Sequence, residues 1–254
     1  MNRPIFIRTG ILFLCVLCGS AGIVREVWPA VSVNNNLYAY LLKQYVKNDR
    51  VDYEGFKKDE VKLDQYLNLL EKTDSKKLSR NEQFAFYINA YNAWIIKLVL
   101  SGYPGIKSIK DLGSFFQSPW KKKLCRIDGK TLTLDDIEHK ILRPRFQDPR
   151  VHFAINCASK SCPPLLSDPY RGSILDQQLD SSTRVFINDL TRNNFDGETL
   201  HVSKIFKWFS GDFKDDVIVF FLKYADTSLK QALLSKRGEI IIEYLDYDWS
   251  LNGK

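Results

Sequence analysis

Cys157 and Cys162 stand five residues apart in "HFAINCASKSCPP", His152 to Pro164, with Asn156 before the first and Pro163-Pro164 behind the second. A thiol does nucleophilic chemistry only as the thiolate. It needs a nearby base or positive field to lose its proton, and donors for the oxyanion that its attack creates. The chain has three histidines, and two of them, His139 and His152, lie within 25 residues of this loop. Cys157 is the preferred nucleophile and Cys162 the second choice, with His139 or His152 as base. On a continuous strand, His152 and Cys157 would face opposite sides at roughly 17 Å. Two pairings therefore stay open: Cys162 brought back to His152, or His139 brought to Cys157.

Three other readings use the same residues. The loop can be a packed turn around inert thiols. The pair can form a disulfide, which suits an exported chain but closes only a small loop. The set His139, His152, Cys157 and Cys162 can ligate zinc, although its separations match no usual knuckle; no metal and no cofactor is called for. No glycine-rich phosphate loop, HExxH or GxSxG motif occurs, so nucleotide, zincin and serine-hydrolase readings lack support.

The elements that must position these groups follow from periodicity. Two apolar runs, "LYAYLLKQYV" and "YLNLLEKTD", predict helices between residues 34 and 74, with "NDRVDYEGFKKDE" as a connecting turn. The clearest helix spans "LSRNEQFAFYINAYNAWIIKLVLSGYPG", with Ser79 and Glu82 as a capping box and Gly102 and Pro104 as the stop. Phe84, Tyr87, Ile88, Tyr91, Ile95, Leu98 and Val99 fall on one broad face, with Asn89 and Asn92 one turn apart at its edge. Buried amides need partners. These two either bond a neighbouring loop's backbone or orient a catalytic side chain or substrate carbonyl.

In "CRIDGKTLTLDDIEHKILRPRF", Asp128-Gly129 predicts a hairpin turn. Thr133 and Asp136 cap a short helix that Pro144 ends. Leu134, Ile137, Ile141 and Leu142 form its apolar side, Glu138 projects among them, and His139 points towards a rim. A carboxylate in that setting pairs with a cation, orients a histidine, or stays protonated. "RVHFAIN" alternates as a half-buried strand. Further helices are expected in "SILDQQLDSSTRVFINDLTRNN", "DDVIVFFLKYA" and "SLKQALLSKR". "LHVSKIFKWF" reads as a strand or turn running into aromatics, "EIIIEYL" as a strand, and "DYDWSLN" as an irregular end.

At 254 residues, 44% hydrophobic and 26% charged, the chain can bury one substantial core or a core with a small subdomain. Arg3 and Arg8, an apolar run from Ile11 to Leu17, then Gly19, Ser20, Ala21 and Gly22 predict an export signal. An uncleaved anchor is the second reading, since the run is short for a membrane span. Removing residues 1–22, which hold two basic and no acidic residues, takes the net charge from +7 to +5. That mild, spread-out charge argues against nucleic-acid binding, and Lys121-Lys122-Lys123 reads as a solvated turn. Three cysteines then remain, Cys125, Cys157 and Cys162, so at least one thiol stays free within a monomer.

The stretches "FYINAYNAWII", "LTLDDIEHKILR", "DPRVHFAINCASKSCPPL", "IFKWF…DF" and "YDWSLN" resemble the domain of unknown function 547 family, strongly over residues 76–190 and onward to about residue 252. The positions that match are Asn89, Asn92, Glu138, His139, His152, Cys157 and Cys162; Cys125 lies outside them. The resemblance implies an α+β fold, a helical layer on a small, mostly antiparallel sheet, similar to papain-like or transglutaminase-like cysteine hydrolases. Those enzymes usually place the cysteine first, opening a long helix; here the long helix carries asparagines and the cysteines come late. Either the order is permuted, or the chemistry is lost and a pocket kept.

The organisation expected is an export signal or anchor (1–22), an N-terminal helical segment (23–75), a family core (76–190) and a C-terminal extension packed on it (191–254). The function expected is a thiol-dependent hydrolase or transferase acting on a peptide-like amide or thioester, in the periplasm or secreted. Glu138 and Asn89 would orient the base, and Asn92 and Asn156 would sit beside the substrate. The competing classes are a non-catalytic envelope-binding module and a structural or redox cysteine pair. Membrane association is expected through the N-terminal segment.

Overall fold

The computed structural model describes residues 32–214, 216–236 and 238–253; the expected signal over residues 1–22 lies outside them. Four helices come first: α1 (Asn36–Tyr45), α2 (Tyr53–Lys58), α3 (Glu60–Lys72) and α4 (Arg80–Leu100). A two-residue hairpin, β1 (Val46–Lys47) with β2 (Arg50–Val51), joins α1 to α2. The segment expected as a plain turn thus holds a hairpin and a helix, whose start Asp52 caps by accepting a bond from Gly55 N–H.

α4 is the axis of the molecule. Ser79 accepts from the Glu82 amide as the sequence predicts. The helix is buried on every face from Gln83 to Leu100 except at Lys97, not along one broad stripe. Lys97 leaves the core through ion pairs to Glu60 and Asp64 on α3. A helix apolar nearly all round belongs inside a protein, where each face meets a different neighbour. Among the described residues no helix is long and apolar enough to cross a membrane.

Strands β3 (Cys125–Ile127) and β4 (Lys130–Leu132) form the expected hairpin, with Asp128 and Gly129 both at positive φ, 54° and 69°. Positive φ at both central residues is what a tight primed turn requires. The Thr133 and Asp136 capping box opens α5 (Leu134–Asp136). The helix does not end at Pro144: a π-helical turn, Ile137–Leu142, leads into α6 (Arg143–Phe146), which holds Pro144 in its first turn. Proline is tolerated there because its missing N–H has no partner to lose. The π turn rotates Glu138 inward and leaves His139 on the rim.

Residues 149–153 form a 3₁₀ turn, not the predicted strand. Asp148 caps it, and Pro149 stands in its first turn. The physical reason is that this segment joins two cores. Val151, Ala154 and Ile155 enter a large core around α4, while Phe153 enters a second, aromatic core with Phe186, Phe206, Phe213 and Phe221. Flat alternation would send Val151, Phe153 and Ile155 to one side; the tighter turn splits them. Arg150 fixes the turn through Asp148, Asp176 and Asp180.

The second core is built by α7 (Leu175–Ile187), β5 (Asn194–Phe195), β6 (Thr199–Val202), α8 (Ile205–Trp208), α9 (Val217–Tyr224), α10 (Thr227–Ser235) and β7 (Ile241–Tyr244). β6 pairs antiparallel with β5 and parallel with β7. The class is α+β as expected, but among the described residues there are three small separate sheets where one mostly antiparallel sheet was expected. Past β7 the chain returns as a strap to the first core, with isolated bridges Ser159 to Leu251, Ser108 to Ser250 and Val51 to Gly253.

The asparagines of α4 hold loops. Asn89 donates to Tyr170 O and accepts from Tyr170 N–H, both at 2.8 Å. Asn92 donates to Ala154 O and accepts from Asn156 N–H, both at 2.9 Å. Replacing Asn92 with alanine orphans two buried backbone groups, so Asn92→Ala is expected to lose about 3 kcal/mol of stability in urea denaturation. A loss below about 1 kcal/mol would mean the loop re-pairs without it.

Candidate functional site

The loop that begins at Asn92's contact is tied on all sides. Asn156 donates to Pro163 O at 2.7 Å and accepts from Ala158 N–H at 2.8 Å, closing the loop across its base. Ala158 is fully buried and left-handed, at φ 63°, a conformation that costs a non-glycine residue roughly 1–2 kcal/mol. The strap covers the loop: Asn252 N–H donates to Ala158 O, Lys160 N–H to Ser250 O, and Asp248 N–H to Ser161 Oγ. Arg192 adds bonds to the carbonyls of Cys162 and Lys160.

Held this way, Cys157 and Cys162 are joined as a disulfide with Cα atoms 6.1 Å apart. In this form neither sulfur is a nucleophile. Cys162 Sγ takes two donors, the Cys157 N–H at 2.8 Å and the Tyr247 hydroxyl at 3.3 Å. Cys125 is a free, buried thiol, and burial pushes its pKa up.

Cys162 lines a cavity of about 230 Å³ together with Glu138, His139 and His152. The sequence leaves two sulfur–imidazole pairings open. Cys162 lines the cavity with both histidines, whereas Cys157 does not line it and has its sulfur against Ser159 and Tyr247. His152 is buried, stacked on Phe209 at 4.0 Å, and its Nε2 meets Asp212 Oδ2 at 2.7 Å. Asp212 also receives a two-pronged bond from Arg143 at 2.6 and 3.0 Å. The bond from His152, then the one from Arg143, holds the Asp212 carboxyl far below the usual carboxylate range. Burial pulls His152 down, more than Asp212 lifts it. Among the described residues no hydrogen bond engages His152 Nδ1.

Glu138 accepts a bond from the Tyr91 hydroxyl at 3.3 Å. Burial raises its pKa to about 7, against the opposing effects of Tyr91 and Arg143. Of the three fates open to a carboxylate among aliphatics, it takes the protonated one over much of the acidic range. His139 is lowered by burial, and its ring sits between Asp135, 3.6 Å from Nε2, and Arg143, 3.0 Å from Nδ1.

Besides Cys157, three expected site residues do not line the cavity. Asn89, expected to orient the base, is committed to Tyr170, and Asn92 and Asn156, expected beside the substrate, are committed to backbone. All three are buried, and their amides are used inside the fold. The sequence reading missed Asp212, Tyr91 and the aromatic wall of Trp120, Trp208, Tyr247 and Trp249. All of these but Trp120 stand inside the quoted stretches "FYINAYNAWII", "IFKWF…DF" and "YDWSLN", so motif membership was the available signal. Among the described residues no group of three metal-ligating side chains occurs.

The molecule is thus an α+β protein whose late loop, braced by a disulfide, contributes Cys162 to an aromatic cleft that the His152 imidazole also lines, while its Asp212 partner lines a second cavity. Residues 75–187 match the family described as "Protein of unknown function, DUF547". No curated protein and no solved structure matches the chain.

Glu138 yields a signed prediction. Its folded pKa, about 7, lies above its ordinary value of 4.5. The neutral form's contribution is therefore complete below pH 4.5 and lost as pH rises through 7. Relative to Glu138→Gln, the parent is expected to lose about 3 kcal/mol of stability between pH 4 and pH 8 in urea denaturation. A difference that stays flat across that window contradicts a protonated Glu138.

Proposed function

We propose that the chain is a thiol-dependent hydrolase or acyl transferase acting on a peptide-like amide or thioester, and that the disulfide is its latent form. The observation that carries this reading is the shared cavity of Cys162, His152, His139 and Glu138. A dithiol reductant would supply two electrons and two protons to open Cys157–Cys162. The Cys162 sulfur then has two donors, the Cys157 amide and the Tyr247 hydroxyl. Donors to the charged form favour the thiolate.

In the reaction itself the thiolate attacks the acyl carbon, the C–N or C–S bond breaks, and a thioester to Cys162 forms. His152, its ring held by Asp212, takes the Cys162 proton as the thiolate forms, passes it to the departing group, then takes one from the water or amine that resolves the thioester and returns it to the Cys162 sulfur. Glu138, with a pKa of about 7, can donate a hydrogen bond to a substrate carbonyl. This assignment moves the nucleophile from Cys157 to Cys162, because Cys162 lines the cavity. A likeness to papain-like or transglutaminase-like enzymes accords with the trio of sulfur, imidazole and carboxylate, in a different chain order. An exported location, periplasmic or secreted, accords with a cysteine pair that oxidises readily.

A second reading is favoured by the bond itself: the pair is a structural brace beneath a binding cleft. Both readings meet in one experiment. The chain is reduced, labelled with iodoacetamide across pH, and the modified cysteine located by mass spectrometry. Preferential labelling of Cys162 with a pKa below about 7.5 is expected. Slow labelling with an ordinary thiol pKa, or loss of the fold on reduction, removes the catalytic reading and leaves the brace.

A further inference from the structure

Just before Ser118 and Trp120, which line the cleft, lies a loop that the proposed chemistry does not use. Phe115 and Phe116 are 96% and 94% exposed, two adjacent aromatic rings in contact chiefly with each other at 5.2 Å. Water-exposed apolar side chains are common singly; an adjacent pair with almost no burial is not explained by the fold. The turn that carries them is built. Ser114 N–H donates to Gln117 O at 2.9 Å, and Gln117 N–H returns bonds to Ser114 O and Oγ at 3.3 and 3.1 Å. At its base, Gly113 admits no side chain: a Cβ there would meet Pro119 at 2.8 Å and Gln117 O at 2.9 Å. The tip is therefore presented by a closed, braced turn.

Charge flanks the tip on both sides. Lys110 stands five residues before Phe115, and Lys121 five after Phe116. Residues 107–123 hold five lysines, Lys107, Lys110, Lys121, Lys122 and Lys123, against one carboxylate, Asp111. Asp111 is engaged with the backbone amides of Lys107 and Ser108. Among the described residues none of the five lysines forms an ion pair with a carboxylate; Lys110 lies over the Trp249 ring at 3.8 Å.

We propose that this loop docks the domain onto an anionic lipid surface, with Phe115 and Phe116 inserted at the headgroup boundary and the lysines held against the lipid phosphates. An aromatic wedge inside a cationic rim is complementary to that boundary, which is apolar below and negative above. A protein partner would need a shaped patch to bury two rings at a tip; a bilayer needs only depth. The inference is independent of the proposed chemistry and of the N-terminal segment. It has one consequence for the cleft: Ser118 and Trp120, which follow the tip directly, line the cavity, so docking would hold its wall beside the membrane surface.

The test uses the full chain, so that the N-terminal segment is common to every sample. Co-sedimentation with phosphatidylglycerol vesicles is compared with phosphatidylcholine vesicles for the parent, the Phe115→Ser/Phe116→Ser double variant and the Lys121→Gln/Lys122→Gln/Lys123→Gln triple variant. The exposed substitutions leave the melting temperature unchanged, which serves as the folding control. Partitioning onto phosphatidylglycerol is expected to fall about tenfold or more in the double variant, and to fall in the triple variant and on raising salt. In parallel, Phe116→Trp is expected to shift its emission to the blue on phosphatidylglycerol and to be quenched by brominated lipid. A double variant that partitions like the parent, or a Phe116→Trp emission that does not move, overturns the proposal and leaves the rings as a contact for another protein.

Discussion

Everything at the site depends on a side chain reading a backbone. Asn92 grips Ala154 O and Asn156 N–H from the most buried helix of the molecule. A buried amide cannot be left without partners at a cost below a few kcal/mol, so this contact fixes the loop's entry in one position and register. Asn156 then closes the loop on Pro163 and Ala158, and the strap caps it through Asn252 and Ser250. The left-handed Ala158 persists because these bonds over-determine it. A braced loop of this kind can set a sulfur against a cleft wall, whereas a free loop would disperse it over many positions.

The electrostatics around His152 follow from the unequal burial and bonding of Asp212 and Glu138. Asp212 stays ionised because His152 and Arg143 both bond it. That anion holds the His152 ring by Nε2, fixing its orientation, while burial pulls the ring's pKa below its ordinary value. Glu138 has only the Tyr91 hydroxyl as a close partner and is pushed up to about 7. Two carboxyls near one imidazole are thereby separated in role, one permanently charged and one able to hold a proton.

Much of this was legible in the residues. The Asp128-Gly129 turn, the caps at Ser79 and Thr133, and the helices of the C-terminal third are local signals with local causes, and they form as read. The 3₁₀ turn at 149–153 was not legible, because alternation cannot tell a strand from a segment whose side chains divide between two cores. Pro144 misled for a related reason: a π turn ahead of it shifts the register so that proline enters a new first turn. Asn89 and Asn92 read as buried amides needing partners, and their partners are backbone; Asn156, expected beside the substrate, closes the loop instead. Asp212, 60 residues from His152, had no local signature beyond its motif. Pairing across that distance depends on two cores packing together. The pairing of Cys157 with Cys162 stood among the alternatives, and spacing alone could not choose it.

The central claim is that one cavity couples the loop sulfur to the His152 imidazole. The most direct measurement is the titration of His152 by nitrogen-15 NMR in the oxidised chain, the reduced chain and reduced Cys162→Ser. A thiolate in the same cavity favours the imidazolium, so the account predicts that reduction raises the His152 pKa and that the serine variant abolishes the rise. Superimposable curves in all three states would contradict it.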